Sequence, residues 1–226
     1  MANDHEKEAA ARASLKFVQD GNVVGLGTGS TAAYAVRFLA ERVRSGLKIR
    51  GIPTSSSTRE LAAGLGIPLI TFDDVQQIDV TIDGADEFDP QLQLIKGGGG
   101  ALLREKIVAS ASRQLVIVAD ASKQVKVLGK FPLPVEVVPF AQPLVAKRVA
   151  ALGAAPKLRQ DASGNPFVTD EGHHILDCSF GQIVDPPSLA RTLDAMPGVV
   201  DHGLFINLAS VVLVARGSEV QEIRRE

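Results

Sequence analysis

Stretches with the pattern of short buried strands alternate with stretches of helical periodicity through the first 130 residues of the chain. Asn22–Leu26 and Ile78–Ile82 are two of the strand patterns, and Ala32–Val43 shows the helical period that follows the first of them. Strands that alternate with helices favour a mostly parallel sheet with helices on both faces. The sequence therefore predicts an α/β protein with a doubly wound, Rossmann-like sheet.

A proline-containing linker, Phe131–Pro134, marks a change in this pattern. The stretches that follow have the order β-α-β-β-α-β, which is typical of a ferredoxin-like module. We therefore expect two domains. Residues 1–130 together with 207–226 form a Rossmann-like catalytic domain, and residues 131–206 form a second, smaller ferredoxin-like α+β domain.

Composition excludes several classes of function. The net charge is −2 and aromatic residues make up 4% of the chain, so it lacks the basic face and the stacking side chains that nucleic-acid binding needs. No apolar run approaches the length of a membrane span, and Met1–Glu8 is charged. Cys178 is the only cysteine, so no internal disulfide can form. We expect a cytoplasmic protein whose partners include neither nucleic acid nor a membrane.

A glycine-rich loop, Gly25–Thr31, joins the first strand pattern to the helical period. This order places backbone N–H groups and the positive end of a helix dipole where a phosphate can bind. The hydroxyls of Thr28, Ser30 and Thr31 add further hydrogen-bond donors. The loop therefore predicts a phosphate site, although a tight turn followed by an N-cap would have a similar composition.

Two larger phosphate-binding motifs do not match this loop. A dinucleotide fingerprint needs a third glycine where Ser30 stands, and an acidic residue after the next strand, where the chain has Pro53–Ser57. A Walker loop needs Gly-Lys-Ser/Thr, which does not follow at the required spacing. The loop is therefore expected to bind a small phosphate group.

Two aspartates, Asp83 and Asp86, lie at the two ends of a short turn that directly follows the strand pattern Ile78–Ile82. Functional residues of a doubly wound sheet collect beyond the carboxyl ends of its strands, so both carboxylates can face one cleft. A solvated surface turn and a site for a hard cation are the other interpretations. We expect no metal, because Lys96 would compete for the carboxylates and the adjacent His173 and His174 are poorly spaced for joint ligation.

Four consecutive glycines, Gly97–Gly100, precede a further helical pattern. Such a run is entropically costly, and its usual use is to bring the backbone close to a ligand ahead of a helix N-terminus. Within this helix, Glu105 points to the same face as Leu102 and Val108. Its carboxylate is therefore expected to be partly removed from water, where a carboxylate is a stronger base. Alternatively, Glu105 only complements the helix dipole.

Another strand pattern, Gln114–Ala119, ends in Asp120 and is followed by Lys123. Thr28, Asp83 and Asp120 thus follow three strands of the same predicted sheet. Parallel strands end at one edge, so we expect these residues and the glycine-led helix to gather there.

Six stretches of the chain form a specific set of motifs. They are GLGTGST at Gly25–Thr31, DGADE at Asp83–Glu87, KGGGGALLREK at Lys96–Lys106, ADASK at Ala119–Lys123, GKFPLPVEVVP at Gly129–Pro139 and PGVVDHGLF at Pro197–Phe205. Together they resemble the ribose-5-phosphate isomerase type A family, and the likeness extends over nearly the whole chain.

The resemblance implies a cofactor-free interconversion of D-ribose 5-phosphate and D-ribulose 5-phosphate through an enediolate, in the non-oxidative pentose phosphate pathway. It implies that Glu105 is the base, that Asp83 and Asp86 line the sugar cleft and assist ring opening and proton movement, and that Lys96 completes the catalytic set. The residues implied to bind the phosphosugar are Thr28, Gly29, Ser30, Thr31, Asp83, Gly84, Ala85, Asp86, Lys96, Gly97, Gly98, Gly99 and Lys123. A homodimer or homotetramer is the expected assembly.

Gly100 and Lys7 are two positions at which this chain is compared with the family in more detail. Gly100 stands where alanine is frequent in the family; the extra glycine leaves Glu105 in register but is expected to loosen the start of the helix. Lys7 stands where some members have an N-terminal lysine that reaches the phosphate.

Two other functions stay open at this point. An acyl or CoA transferase of related architecture would use Glu105 as a nucleophile, and hydroxylamine would trap its acyl-glutamate. A phosphosugar sensor without turnover would carry a fused DNA-binding helix pair, for which we expect no room in 226 residues beyond the two domains.

Overall fold

The structure, a computed structural model, describes residues 2–225. Within this range the α-helices are α1 (Ala2–Ser14), α2 (Ser30–Arg44), α3 (Ser56–Gly64), α4 (Leu102–Ser110), α5 (Gln142–Ala151) and α6 (Pro186–Asp194). The strands are β1 (Val23–Leu26), β2 (Arg50–Pro53), β3 (Val80–Asp83), β4 (Glu87–Phe88), β5 (Leu94–Ile95), β6 (Leu115–Asp120), β7 (Leu133–Val137), β8 (Ala155–Leu158), β9 (His174–Ser179), β10 (Val199–His202), β11 (Leu204–Phe205), β12 (Val211–Arg216) and β13 (Glu219–Arg224). None of the described helices is both long and apolar enough to cross a membrane.

The chain folds into two compact units. Unit 1 consists of the residues up to Ala85, Arg104–Gln124, and the residues from Leu208 onward. Unit 2 consists of Asp86–Leu103 and Val125–Asn207.

Unit 1 is built on a six-stranded sheet of order β13-β12-β6-β3-β1-β2. Neighbouring strands from β12 to β2 pair in parallel, and β13 pairs antiparallel with β12 at the edge. Val24 and Leu26 of β1 pack on one face with residues of α1, α2 and α3, whereas Val23 packs on the other face with Val108 of α4. Helices therefore cover both faces, which confirms the predicted doubly wound, mostly parallel sheet.

Unit 2 contains a four-stranded antiparallel sheet of order β10-β7-β9-β8. Helix α5 follows β7 and α6 follows β9, which is the predicted order β-α-β-β-α-β. Val145 and Val149 of α5 and Leu193 of α6 are fully buried in one core with Val135 of β7. This arrangement confirms the ferredoxin-like α+β module. A three-stranded sheet of order β11-β5-β4 completes unit 2.

The units differ from the predicted domain boundaries mainly in one stretch. The prediction places residues 86–103 in the larger domain, whereas they belong to unit 2, because β4 pairs with β5 and β5 pairs with β11. The extended stretch Val199–Phe205 is divided at Gly203, where a Cβ atom would lie 2.2 Å from the Lys96 carbonyl oxygen. Its two halves therefore join different sheets as β10 and β11.

Candidate active site

The carboxyl ends of β1, β2, β3 and β6 lie at one edge of the unit 1 sheet, which we call the carboxyl edge. Leu26 at the end of β1 pairs with Ile82 of β3, so the loops that follow these two strands begin side by side. Thr28 follows β1, Asp83 ends β3 and Asp120 ends β6. Three of the predicted residues therefore lie at this edge.

Asp83 holds the loop after β1 in place. Its side chain is 1% exposed, and its Oδ1 atom accepts hydrogen bonds from the backbone N–H groups of Thr28 at 3.1 Å and Gly84 at 2.7 Å. A Cβ atom at Gly27 would lie only 2.3 Å from this oxygen, so the close approach requires glycine. Gly84 and Ala85 follow at half-buried positions.

A cluster of hydroxyl groups surrounds the Thr28 side chain. Its Oγ1 atom lies 2.7 Å from Thr54 Oγ1, 2.8 Å from Ser55 Oγ and 3.2 Å from Thr58 Oγ1. Thr58 Oγ1 also donates to the Gly27 carbonyl at 3.0 Å. The sequence interpretation missed this cluster, although the run of serine and threonine after β2 was a visible signal. The cluster restricts the orientation of the Thr28 side chain in the loop after β1.

Two helix N-termini stand beside this cluster. Helix α2 begins at Ser30, and its N-cap Gly29 has φ 106° and provides no side-chain cap. Helix α3 is capped by Ser55, whose Oγ accepts the Thr58 N–H at 3.0 Å. The N–H groups in the first turn of α2 can therefore receive an anion. Arg104 places Nη1 3.4 Å from Ser56 Oγ, which adds a positive charge in the same region of unit 1.

Glu105 lies on the sheet-facing side of α4 and is 4% exposed. Val108 of this helix packs beside Gly25 near the end of β1, where a Cβ atom would be 2.8 Å from Val108 Cγ1. Ala111, just after the helix, instead accepts the backbone N–H of Ile78, which precedes β3, at 2.9 Å. The helix therefore runs antiparallel to β1 and β3. Glu105 lies three residues before Val108, roughly 4.5 Å further along the helix axis toward the carboxyl edge.

Asp120 ends β6 and caps a single turn of 3-10 helix, which ends at Lys123. Asp120 is 1% exposed and its Oδ1 atom accepts hydrogen bonds from the backbone N–H, at 3.0 Å, and the hydroxyl of Ser122. Asp120 therefore shapes this turn and places Lys123, which is half-buried, just beyond the carboxyl edge.

Unit 2 brings together Asp86, Lys96 and the glycine loop. The Asp86 backbone N–H donates to the Ile95 carbonyl at 2.8 Å, and its Oδ2 atom accepts the Gly98 N–H at 2.7 Å. Lys96 directly follows β5 and is 2% exposed, with Nζ 5.5 Å from the centre of the Phe205 ring. Lys96 thus places a buried ammonium group next to the glycine loop, which the Asp86 carboxylate holds. Such a group can stabilise negative charge.

The glycine loop forms a turn in which the Gly100 N–H donates to the Gly97 carbonyl at 3.0 Å. Gly97 has φ 100° and Gly100 has φ 83°, a backbone conformation that favours glycine. Gly100 precedes α4, which begins at Leu102. The fourth glycine therefore accommodates a left-handed turn before the helix. The loosening of the helix start stays a prediction.

Lys7 lies in α1 of unit 1, with Nζ 3.9 Å from Asp4 Oδ1. Its contact with a phosphate stays a prediction. Among the described residues, no group of three or more histidine, cysteine, aspartate or glutamate side chains is arranged to hold a metal ion.

Comparison with known proteins gives one consistent result. The family model described as "Ribose 5-phosphate isomerase A (phosphoriboisomerase A)" matches residues 50–219. Ribose-5-phosphate isomerase A of Parvibaculum lavamentivorans is 52% identical over 98% of this chain and 100% of its own length. The protein of the same name from Agrobacterium fabrum is 54% identical over 92% of this chain and 93% of its own length.

Solved structures agree over the same length. A D-ribose-5-phosphate isomerase in complex with phospho-erythronic acid is similar with a TM-score of 0.97 and 38% identity, and the match covers 100% of both chains. Ribose 5-phosphate isomerase A of Methanocaldococcus jannaschii has a TM-score of 0.92 and 41% identity, and the match covers 96% of this chain and 97% of the other.

Proposed function

The chain belongs to the ribose 5-phosphate isomerase A family, and we propose that it interconverts D-ribose 5-phosphate and D-ribulose 5-phosphate through an enediolate with Glu105 as the base. Membership of this family makes it an aldose–ketose isomerase. The observation that carries the choice of base is the burial of the Glu105 carboxylate on the sheet-facing side of α4, level with the carboxyl edge that holds Thr28 and Asp83.

The reaction needs one group that removes a proton from C2 of the open-chain aldose and returns it to C1. Removal leaves an enediolate, and reprotonation at C1 gives the ketose, so one carboxylate serves both steps if the two carbons share a face toward it. Glu105 meets the requirement for a weakly solvated carboxylate, because its side chain is 4% exposed.

The negative charge of the enediolate needs fixed donors or cations. We assign this role to the ammonium groups of Lys96 and Lys123 and to the N–H groups of Gly97 and Gly99, since the Gly98 N–H is donated to Asp86. Asp83 and Asp86 are assigned to ring opening and to proton movement between the sugar hydroxyls. Both aspartates also accept backbone hydrogen bonds, which restricts their carboxylate positions.

The phosphate is assigned to the loop Thr28–Thr31. The first turn of α2, which lacks a side-chain cap, supplies N–H groups, and the hydroxyl cluster around Thr28 orients its side chain. Binding energy from a remote phosphate positions the reacting carbons and so lowers the barrier of the chemical step. Gly84 and Ala85 provide the backbone between Asp83 and Asp86 along which the sugar is proposed to lie.

The test is an assay of ribose 5-phosphate with purified protein in the presence of EDTA. Ketose should form, and in deuterated water the product should carry deuterium at C1, as expected when an enediolate exchanges its proton with solvent. Glu105→Gln should lower kcat by about 10² to 10⁴-fold while phosphosugar binding is retained. Glu60→Gln, which changes an exposed carboxylate of α3, is the matched control and should leave kcat unchanged. Near wild-type turnover by Glu105→Gln would show that another group is the base.

We also propose that the enzyme needs no cofactor and acts in the cytoplasm as a homodimer or homotetramer, in the non-oxidative pentose phosphate pathway. Measuring activity with and without chelators tests whether the enzyme needs a cofactor. Light scattering of the protein as it elutes from a column tests whether it is a homodimer or homotetramer. Loss of activity that a divalent ion restores would contradict the cofactor-free reaction.

A further inference from the structure

Arg159 makes a planar ion pair inside unit 2. Its side chain, directly after β8, is 13% exposed. The Nε atom donates to Asp177 Oδ2 at 3.0 Å, and Nη2 donates to Asp177 Oδ1 at 2.5 Å. Two parallel hydrogen bonds of this kind fix the plane of a guanidinium group as well as its position.

The third nitrogen of Arg159 reaches the glycine loop. Nη1 donates to the Gly97 carbonyl at 2.9 Å and lies 3.3 Å from the Gly98 carbonyl oxygen. The guanidinium group therefore connects β9, through Asp177, to two successive peptide groups of a segment that has no side chains of its own to anchor it. Arg159 and Gly97 are 62 residues apart in the chain.

These contacts determine which way the loop N–H groups point. In a trans peptide, the carbonyl and the N–H of the next residue point in opposite directions. The Gly97 carbonyl points to Arg159, and the Gly98 N–H accordingly points away from it and donates to Asp86 Oδ2 at 2.7 Å. The Gly98 carbonyl also points to Arg159, so the Gly99 N–H is directed away from the guanidinium group as well.

We propose that Arg159 is a positioning residue for the isomerisation, which acts by holding the carbonyls of Gly97 and Gly98. In that orientation the Gly98 N–H fixes the Asp86 carboxylate, and the Gly99 N–H is presented to the substrate. Asp177 anchors the guanidinium group. This proposal rests on the proposed function, because it assigns a catalytic role to the fixed conformation of the glycine loop. A lysine at position 159 cannot replace the arginine, since one ammonium group cannot form the paired carboxylate bonds and also reach two carbonyls in that plane.

A purely structural role would make the ion pair a support for β8 and β9 only. The two roles differ in what they change. Loss of a structural support lowers the free energy of unfolding, whereas loss of a positioning residue lowers kcat in molecules that remain folded and increases amide exchange in residues 97–100.

The experiment compares Arg159→Met, Arg159→Lys and Asp177→Asn with Glu136→Gln, which changes another buried charged group of unit 2 that contacts Thr169 and His173 instead of the loop. Each variant is measured at a temperature where it is folded, for kcat, KM, inhibition by inorganic phosphate and amide exchange of the loop. Both Arg159 variants should lose about 10 to 100-fold in kcat, as expected for a displacement of about 1 Å, while phosphate inhibition changes less than about twofold. Loop exchange should rise in both Arg159 variants and stay at the wild-type rate in Glu136→Gln.

Partial recovery of kcat when guanidinium ion at a non-denaturing concentration is added to an Arg159→Ala variant would further support the proposal. Wild-type loop exchange in Arg159→Met, or a kcat within about twofold of wild type while the variant is folded, would overturn it. If the wild-type protein fails to isomerise ribose 5-phosphate, the proposed function has failed, and the exchange measurement still decides whether Arg159 orders the loop.

Discussion

The Asp83 carboxylate accepts the backbone N–H of Thr28 at 3.1 Å, so the end of β3 holds the loop that follows β1. Asp83, which we assign to the sugar, thus also fixes the loop to which we assign the phosphate. A single oxygen atom, Asp83 Oδ1, makes this contact and also accepts the backbone N–H of Gly84.

Substitutions of Asp83 should separate these two roles. Asp83→Asn retains an acceptor oxygen for both N–H groups, so KM should change less than about twofold. It removes the carboxylate that we assign to proton movement, so kcat should fall. Asp83→Ala leaves two N–H groups without their acceptor, which should cost about 1–3 kcal/mol of stability and raise KM about tenfold. Steady-state kinetics and urea unfolding give both quantities. Equal KM values for the two variants would contradict the coupling.

Gly25 should tolerate no side chain, because α4 packs directly on β1 at this point. A Cβ atom there would lie 1.8 Å from Thr81 Oγ1 and 2.8 Å from Val108 Cγ1. Gly25→Ala should lower the free energy of unfolding by about 3 kcal/mol and also lower kcat, since Glu105 is on the same helix. Gly64→Ala, at an exposed helix end with nothing within 4 Å of the added atom, is the control and should be neutral or slightly stabilising. Equal stability of the two variants would show that α4 can move away from β1.

Glu136 should make stability depend on pH. Burial raises the pKa of this carboxyl above its ordinary 4.5, and the nearby Asp201 adds to the effect, against hydrogen bonds from Thr169 and His173 that lower it. Since the folded state keeps this proton where the unfolded state has lost it, the stability contribution is complete below pH 4.5 and is lost as pH rises through the raised pKa.

Glu136→Gln removes this titration while its amide oxygen can accept the bonds that Thr169 and His173 make to Oε1, at 2.9 and 3.0 Å. The variant should therefore gain stability relative to the wild type as pH rises from below 4.5 toward neutrality. Urea unfolding over this range measures the difference. A difference that is independent of pH would show that Glu136 does not titrate separately from its surroundings.

Cys178 should be unreactive in the native protein. Its side chain is 0% exposed in β9, and burial, with a smaller effect from the Asp177 carboxylate, raises the pKa of the thiol to about 12. Because the thiolate is the nucleophile, about one thiol in ten thousand is ionised at pH 8. An aromatic disulfide reagent should label it at the rate of unfolding, and immediately in concentrated urea. Rapid labelling of the folded protein would show that β9 opens locally.

The elements that position the site were largely predictable from local pattern. Short apolar stretches that alternate with helical periods indicated β1, β3 and β6 of the unit 1 sheet, and the later stretches indicated the order β-α-β-β-α-β of unit 2. Polar residues such as Thr28, Asp83 and Asp120 followed the strand patterns. Parallel strands must end at a common edge, so this part of the arrangement follows from the alternation of elements alone. The position of Glu105 on the buried face of its helix likewise followed from helical periodicity.

Tertiary structure alone decided the contacts between segments that are distant in the chain. The sequence determined that a glycine run precedes α4, but glycine has no side chain that could indicate a partner, and only the folding of β8 and β9 brings Arg159 and Asp177 to the loop carbonyls. In the same way, residues 86–103 belong to unit 2 because β5 pairs with β11, more than a hundred residues further along the chain. Periodicity records which face of an element is buried, whereas strand pairing and side-chain hydrogen bonds depend on which other elements pack beside it.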